Sequence, residues 1–254
     1  MRRLIPPTAA LLGFAAIWQL AANAKTNSQV LPAPSRVISS GWADRSDLLA
    51  NTVPTLGATL LGFALAMVLA FSLSILIDRW AFARGTVMPL MVISQTLPIV
   101  LLAPLMVLWF GFGLLPKLIL VVLVTFFPLV VSLVEGYATA DPDAGALFRS
   151  TGAGWWRTFR GLRLPSALPS FFTGLRIAIT YAVVATIFAE YAGSEHGLGI
   201  YMQVAKNSFR TDLVLAAVIV TSVLTLLLFL LTHLAEWAAM PWRRADNRQW
   251  DGPR

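Results

Sequence analysis

The chain has 254 residues, of which 57% are hydrophobic and only 12% carry a charge. A soluble domain of this length needs far more charged surface, so the composition excludes an ordinary soluble protein. The net charge of +7 would suggest a nucleic-acid partner for a soluble protein, but here the basic residues flank long apolar blocks, which favours anionic lipid headgroups. The absence of cysteine excludes disulfides and cysteine-based metal sites, and the two histidines form no ligand motif.

The apolar residues come in blocks long enough to cross a bilayer, which predicts an all-α, polytopic membrane protein with about six transmembrane helices. Residues 1–254 are expected to form one membrane domain. Between the first two spans, the polar and turn-rich residues 25–53 predict an external loop with a short surface helix. The predicted spans are Leu4–Ala24, Thr55–Ile77, Val87–Phe110, Leu114–Glu135, Leu175–Tyr191 and Leu213–Leu234.

The first predicted span has two interpretations. Arg2 and Arg3 precede its apolar run and Ala22-Asn23-Ala24 ends it, which is the pattern of a cleaved signal peptide. The apolar run is long for a signal-peptide core, so we expect an uncleaved span. Cleavage would leave the predicted topology of the other spans unchanged.

The third predicted span contains Pro98 and Pro104, and a proline inside a span leaves backbone carbonyls without a donor. We therefore expect this helix to be kinked and buried in the bundle, where protein or water satisfies those carbonyls. Gln95 and Thr96 lie one turn before Pro98, where a kink would open a polar pocket for a solute. The alternative is that both side chains form hydrogen bonds between helices.

Polar residues at the end of the fifth predicted span are the second candidates for a solute pathway. Glu190 lies there, with Thr186 one turn earlier on the same face, and Tyr191 follows. The alternative is that Glu190 lies at the outer headgroup level and only caps the span. Three glycines follow, which either let a re-entrant segment pack closely or serve as turn residues: Gly193, Gly197 and Gly199.

The distribution of basic residues predicts the orientation in the membrane. With the N-terminus inside, the inner segments hold 13 of the 19 lysines and arginines, and the outer segments hold 6. Inner segments of membrane proteins carry the excess of positive charge. We therefore expect a multi-pass protein of the plasma (inner) membrane, with both termini and the loop of residues 137–170 in the cytoplasm.

The longest polar interruption between spans is Asp141–Pro169, within that loop. Asp141 is suited to cap a first short helix, and Pro142 suits its first position. The run Gly152-Ala153-Gly154 predicts a break before a second short helix. By composition alone, this basic helix pair is equally suited to lie on lipid headgroups.

Several short runs follow one another in and after this loop: Arg149-Ser150-x-Gly152-Ala153, Arg157, Leu164-Pro165-x-x-Leu168-Pro169 and Gly174-Leu175-Arg176. Their order resembles the cytoplasmic loop of importer-type ABC transporter permeases. The family's Glu-Ala-Ala triplet falls on Ala146-Leu147-Phe148, so its acidic residue is missing here. That departure puts in question any ion pair of this residue with an ATPase, but not the glycine-centred shape of the loop.

The resemblance extends beyond the loop. Phe188-Ala189-Glu190 followed by Gly197-Leu198-Gly199 is similar to the branch that serves sulfonates, nitrate and thiamine-pyrimidine precursors. Two further runs resemble the pyrimidine-precursor members most: Ser94-Gln95-Thr96-Leu97-Pro98 and Trp109-Phe110-Gly111-Phe112-Gly113.

The resemblance implies the transmembrane subunit of an ABC importer, working as a homodimer with two ATPase subunits and an external solute-binding protein. It implies a thiamine-pyrimidine-like or other small heteroaromatic solute, with alkanesulfonates, taurine or nitrate as alternatives. The residues expected to contact the ATPase are Leu147, Phe148, Arg149, Ser150, Gly152, Ala153 and Arg157.

The sequence carries no recognisable catalytic chemistry. It contains no Gly-x-x-x-x-Gly-Lys-[Ser/Thr] loop, no Gly-x-Ser-x-Gly elbow and no metal-binding pair. We therefore expect no enzymatic activity and no cofactor in this chain, with ATP hydrolysis on a partner chain. The rival from another class is a structural or assembly membrane protein whose basic loop binds only lipid.

Overall fold

The computed structural model describes residues 5–24 and 31–241, and within these ranges the chain is helical without a strand. The helices are α1 (Ile5–Ala24), α2 (Pro34–Ala43), α3 (Arg45–Arg79), α4 (Ala81–Ser94), α5 (Ile99–Phe110), α6 (Leu114–Ala138), α7 (Pro142–Ser150), α8 (Trp155–Thr158), α9 (Leu164–Gly193), α10 (Leu198–Asn207) and α11 (Thr211–Ala239). A π-helical turn, Phe159–Arg163, joins α8 to α9. The all-α prediction is therefore confirmed.

Within residues 5–24 and 31–241, four helices are long and apolar enough to cross a membrane: α3, α6, the continuous helix Trp155–Gly193, and α11. Helix α5 is apolar but shorter, and α1 has 20 residues. The count of six spans stays a prediction. The count of basic residues that predicts the orientation includes several arginines near the two termini. These arginines lie outside the described residues: Arg2, Arg3, Arg243, Arg244, Arg248 and Arg254.

The third predicted span is interrupted, and the prediction that it is buried is wrong for this chain. Residues 95–98 separate α4 from α5, and Pro98 is the extended residue before α5. Ala103 and Met106 are buried, but most of the large apolar residues of α5 are exposed, with Leu108 at 77%. The physical reason is that α5 packs on α6 and α9 along one side only, and no other helix of the described chain covers its remaining surface.

Two other predicted boundaries are displaced. Helix α3 begins at Arg45, ten residues before the predicted start at Thr55. Its first turns are polar, so the apolar pattern that defined the predicted span did not include them. The fifth span does not begin at Leu175, because α9 continues back through the π-helical turn to Trp155. In that turn, the backbone N–H of Leu164 bonds to the carbonyl of Phe159, five residues earlier, and the following Pro165 has no N–H to donate to the carbonyl of Gly161.

The core lies along α6 and α9, which pack against each other over most of their length. Small residues allow this approach: a Cβ at Gly136 would lie 2.8 Å from the Cα of Ala167. Helix α3 packs on the other side of α6, where a Cβ at Gly62 would lie 2.7 Å from that of Val121. The buried centre of the bundle includes Leu129, Val130, Ala178, Ile179, Ala182 and Val183.

The bundle has two ends that matter for function. The loop end holds α7, α8 and the last residues of α3 and α6, and the opposite end holds α2, α10 and the segment 194–197. Helix α9 runs from one end to the other.

Candidate coupling loop and solute pathway

At the loop end, α7 and α8 form the predicted helix pair. The carboxylate of Asp141 accepts a hydrogen bond of 2.8 Å from the backbone N–H of Asp143 and so caps α7. Gly152 has φ of +70°, and the backbone N–H of Ala153 bonds to the carbonyl of Phe148 at 3.0 Å. Glycine is favoured at Gly152 because this left-handed turn reverses the chain between the two helices.

The residues expected to contact an ATPase lie at the tip of this helix pair. Leu147 is 65% exposed, and Arg149, Ser150, Gly152 and Arg157 are also exposed. The structure brings them together on one accessible surface, with Ala153 half-buried beside them. Phe148 is half-buried as well, because its ring packs against Gly161, where a Cβ would lie 3.0 Å from the ring.

The base of the helix pair is held to the ends of α3 and α6. Arg163 pairs with Asp78 at 2.6 Å, and the guanidinium of Arg79 lies 5.6 Å from the centre of the Trp155 ring. The Tyr137 ring packs on Phe159 with centroids 5.2 Å apart. The helix pair therefore contacts α3 and α6 directly and is continuous with α9.

A cavity of about 630 Å³ lies between the helix pair and these helix ends. Asp78, Arg149 and Trp155 line it. One Asp78 carboxylate oxygen and the Trp155 indole N–H are buried there without a hydrogen-bond partner among the described residues. The cavity is thus polar enough to hold water.

The interruption between α4 and α5 places Gln95 and Thr96 on the accessible side of the bundle. The Thr96 hydroxyl donates to the carbonyl of Ile93 at 2.8 Å, a bond within its own helix end. A cavity of about 190 Å³ adjoins the interruption; its lining residues are Gln95, Leu97, Ile99, Leu123, Val124, Tyr181 and Val184. Tyr181, which the sequence analysis did not select, is 51% exposed.

A polar side chain and an interrupted backbone at this depth cannot face hydrocarbon, because their polar groups would lack partners. The interruption lies midway along the third apolar block, 12 residues before the end of α5. We therefore expect this face of the bundle to contact water or another protein surface.

Glu190 and Thr186 lie inside the bundle, facing α3. Glu190 has no exposed surface, and the Thr55 hydroxyl lies 2.9 and 3.0 Å from its two carboxylate oxygens. One turn away, the Thr59 hydroxyl donates to that of Thr186 at 2.9 Å. The structure thus brings both residues together, but apart from Gln95 and Thr96. Their contact with a solute stays a prediction.

Lys117 of α6 completes this cluster. Its Nζ lies 3.5 Å from a Glu190 oxygen and donates to the carbonyl of His196 at 3.2 Å. Tyr191 points elsewhere, and its hydroxyl accepts a hydrogen bond of 3.1 Å from Lys206 of α10. The sequence did not lead us to predict Lys117 as a site residue, although a lone lysine just inside an apolar block indicates a functional or paired side chain.

Residues 62–236 match the family described as "Binding-protein-dependent transport system inner membrane component". This chain belongs to that family of ABC importer permeases. It is 34% identical over 241 residues to the formylaminopyrimidine transport permease protein ThiX of Halalkalibacterium halodurans, covering 94% of this chain and 96% of that protein. It is 31% identical over 215 residues to the riboflavin transport system permease protein RibX of Chloroflexus aurantiacus, and the match covers 84% of this chain and 80% of that protein.

More distant relatives agree with the family. The taurine transport system permease protein TauC of Escherichia coli is 27% identical over 233 residues, covering 89% of this chain and 84% of that protein. The fold resembles a chain in the crystal structure of an amino acid ABC transporter with histidines, with a TM-score of 0.61 and 14% identity, covering 78% of this chain and 96% of that one. The prediction that this chain is an importer-type permease is confirmed.

Proposed function

We propose that this permease imports a thiamine-pyrimidine-like or other small heteroaromatic precursor. The observation that carries the proposal is the 34% identity to a formylaminopyrimidine permease over nearly the whole of both chains. The riboflavin relative, at 31%, also has a heteroaromatic solute in its name. The relatives named for aliphatic sulfonates and taurine are 27% identical.

The solute pathway runs, in this proposal, along the face where α4 and α5 are interrupted. Two copies of the chain cover this face between them, which gives the exposed apolar residues of α5 a partner and leaves a polar route at Gln95 and Thr96. Tyr181 offers an aromatic face to a ring of the solute. The lining of this cavity is uncharged, which favours a neutral heteroaromatic solute over a sulfonate or nitrate anion.

Energy for transport comes from a separate ATPase subunit that binds the tip of the helix pair. Leu147 provides an exposed apolar contact, and Arg149 and Arg157 provide charged ones. An external solute-binding protein delivers the solute at the opposite end. Both chain termini and the loop end are cytoplasmic in this arrangement, in accord with the 13-to-6 charge distribution.

Uptake measurements test the solute. Vesicles containing the permease with its ATPase and binding protein should accumulate labelled formylaminopyrimidine and neither taurine nor nitrate. Tyr181→Leu should raise the KM about fivefold through the loss of ring contact, while Tyr181→Phe should keep the parental KM. Accumulation of taurine or nitrate instead would establish the alternative solute class.

A further inference from the structure

The strongest unexplained feature is the cluster around Glu190 at the opposite end. Three helices supply its side chains: Asn51 and Thr55 from α3, Lys117 from α6 and Glu190 from α9. They converge on the segment that joins α9 to α10. Neither the route proposed along the interruption between α4 and α5 nor the helix pair α7–α8 involves these groups.

The cluster binds the backbone of four successive residues, 196 to 199. The N–H of Gly197 donates to Asn51 at 2.9 Å, and the N–H of Leu198 donates to Thr55 at 2.9 Å. The N–H of Gly199 donates to a Glu190 carboxylate oxygen at 3.0 Å. The remaining group, the carbonyl of His196, accepts from Lys117.

These bonds replace the cap that α10 lacks in its own sequence. Gly197 stands at the N-cap position and has no side chain to accept from the first N–H groups of the helix. The Glu190 carboxylate therefore serves as a cap from another helix, where a negative charge also complements the positive end of the helix dipole.

Steric fit makes the arrangement specific. A Cβ at Gly197 would run into the Glu190 carboxylate, and one at Gly199 would lie 2.6 Å from the Glu190 Cβ. The two glycines thus allow the backbone to reach a carboxylate that has no exposed surface. Of the two readings of these glycines, close packing of a segment and simple turns, the structure supports close packing.

The charge of Glu190 needs a partner because a buried, unpaired carboxylate is strongly unfavourable. Lys117 is that partner, and only 7% of it is exposed. Removing Lys117 alone would leave the carboxylate without a counter-charge. Removing both charges would leave a neutral, hydrogen-bonded cluster.

We propose that Glu190, paired with Lys117, is a positioning residue that holds the 194–207 segment in place as the surface that receives the solute-binding protein. The proposal rests on the proposed function for that receiving role. Glu190 lies near the end of the continuous helix Trp155–Gly193, whose first residues belong to the helix pair α7–α8. The Glu190–Lys117 pair therefore also links this surface to the ATPase side.

The first measurement follows the position of the segment and needs no solute. Ala205, on α10, is 5% exposed, so Ala205→Cys in the otherwise cysteine-free chain gives a probe of detachment. Lys117→Met should raise its labelling rate about tenfold or more, because hydrogen bonds to a charged group stabilise local structure by factors of that size. Glu190→Gln should raise it less, since the amide keeps the shape and its oxygen can still accept from Gly199, although the NH2 group that replaces the other oxygen no longer accepts from Lys117.

The decisive comparison is the double variant. Lys117→Met with Glu190→Gln should label more slowly than Lys117→Met alone, because no uncompensated charge remains. Glu195→Gln removes a carboxylate from the exposed part of the same segment and should label like the parent. Labelling at the parental rate in Lys117→Met would overturn the proposal, as would a double variant that labels faster than both single ones.

The second measurement uses reconstituted complexes of the permease with its ATPase and solute-binding protein. In Lys117→Met, the stimulation of ATP hydrolysis by the loaded binding protein should fall at least about fivefold while basal hydrolysis persists, a split that mere loss of folded protein would not produce. Full stimulation with a detached segment would overturn the receiving role. Failure of the parent complex to respond to formylaminopyrimidine would instead refute the proposed solute, and the labelling result would still stand.

Discussion

The two ends of the helix that runs from Trp155 to Gly193 are held in opposite ways. At the loop end, Arg163 is 38% exposed where it pairs with Asp78, and the tip beyond it presents open surface. At the opposite end, Glu190 is fully enclosed by three helices and the backbone of a fourth segment. An ion pair with one partly exposed partner tolerates more movement than a buried cluster whose backbone fits only around glycines. From this difference we expect the loop end to move with a partner and the opposite end to hold a surface still.

The largest expected effect separates the two ends across the membrane. Single cysteines at Ser208 and Ser150 are exposed at the opposite end and the loop end, respectively. In intact cells, an impermeant thiol reagent should label position 208 and should label position 150 only after lysis. The reverse pattern would place the loop end outside and remove the ATPase from the proposal.

The next largest effect concerns the steric fit of Gly197 against Glu190 at the opposite end. Gly197→Ala should reduce the free energy of unfolding by on the order of 2–4 kcal/mol, because the Cβ meets the Glu190 carboxylate at a φ of +129°. Gly57→Ala is the matched control, since a Cβ there meets nothing within 4 Å. Thermal unfolding in detergent measures both. Equal melting temperatures for the two variants would show that the segment adapts and is not held.

At the loop end, the corresponding glycine should matter for the partner and not for the fold. Gly152 has a positive φ but open space around it, and aspartate tolerates that backbone better than most residues. Gly152→Asp should therefore insert normally and weaken ATPase binding by on the order of 2 kcal/mol. Co-purification and ATP hydrolysis measure the loss, and Gly154→Asp, at the N-cap of α8, is the control. Full ATPase binding by Gly152→Asp would favour the lipid-surface interpretation of the loop.

The smallest expected effect is at the base of the loop. Arg163→Met should cost about 1 kcal/mol of stability, because Arg163 itself is 38% exposed and water in the adjoining cavity can solvate the Asp78 carboxylate, which is only 8% exposed. It should nevertheless lower coupled transport, since α3 loses its charged link to the loop. Arg160→Met, which removes an exposed arginine three residues earlier, should leave both stability and uptake unchanged. A loss of stability as large as that of Gly197→Ala would contradict the contrast between the ends.

Local interactions explain what the sequence determined by itself. Apolar blocks predict membrane helices because lipid offers backbone groups no partners, and Asp141, Pro142 and Gly152 predict the helix pair because caps and turns depend on neighbouring residues. The order of residues around that turn was sufficient to recognise the permease family.

Tertiary structure decided what depends on distant residues. The partner of Glu190 on α3 is 135 residues away, and the sequence did not indicate whether that carboxylate faced headgroups, solute or a helix end. The exposure of α5 was not predicted, because an apolar helix is expected to be covered but its composition does not show whether the covering surface belongs to the same chain. The early start of the fifth span was missed because residues 155–174 are too polar to be recognised as part of a span, although the helix continues through them to Gly193.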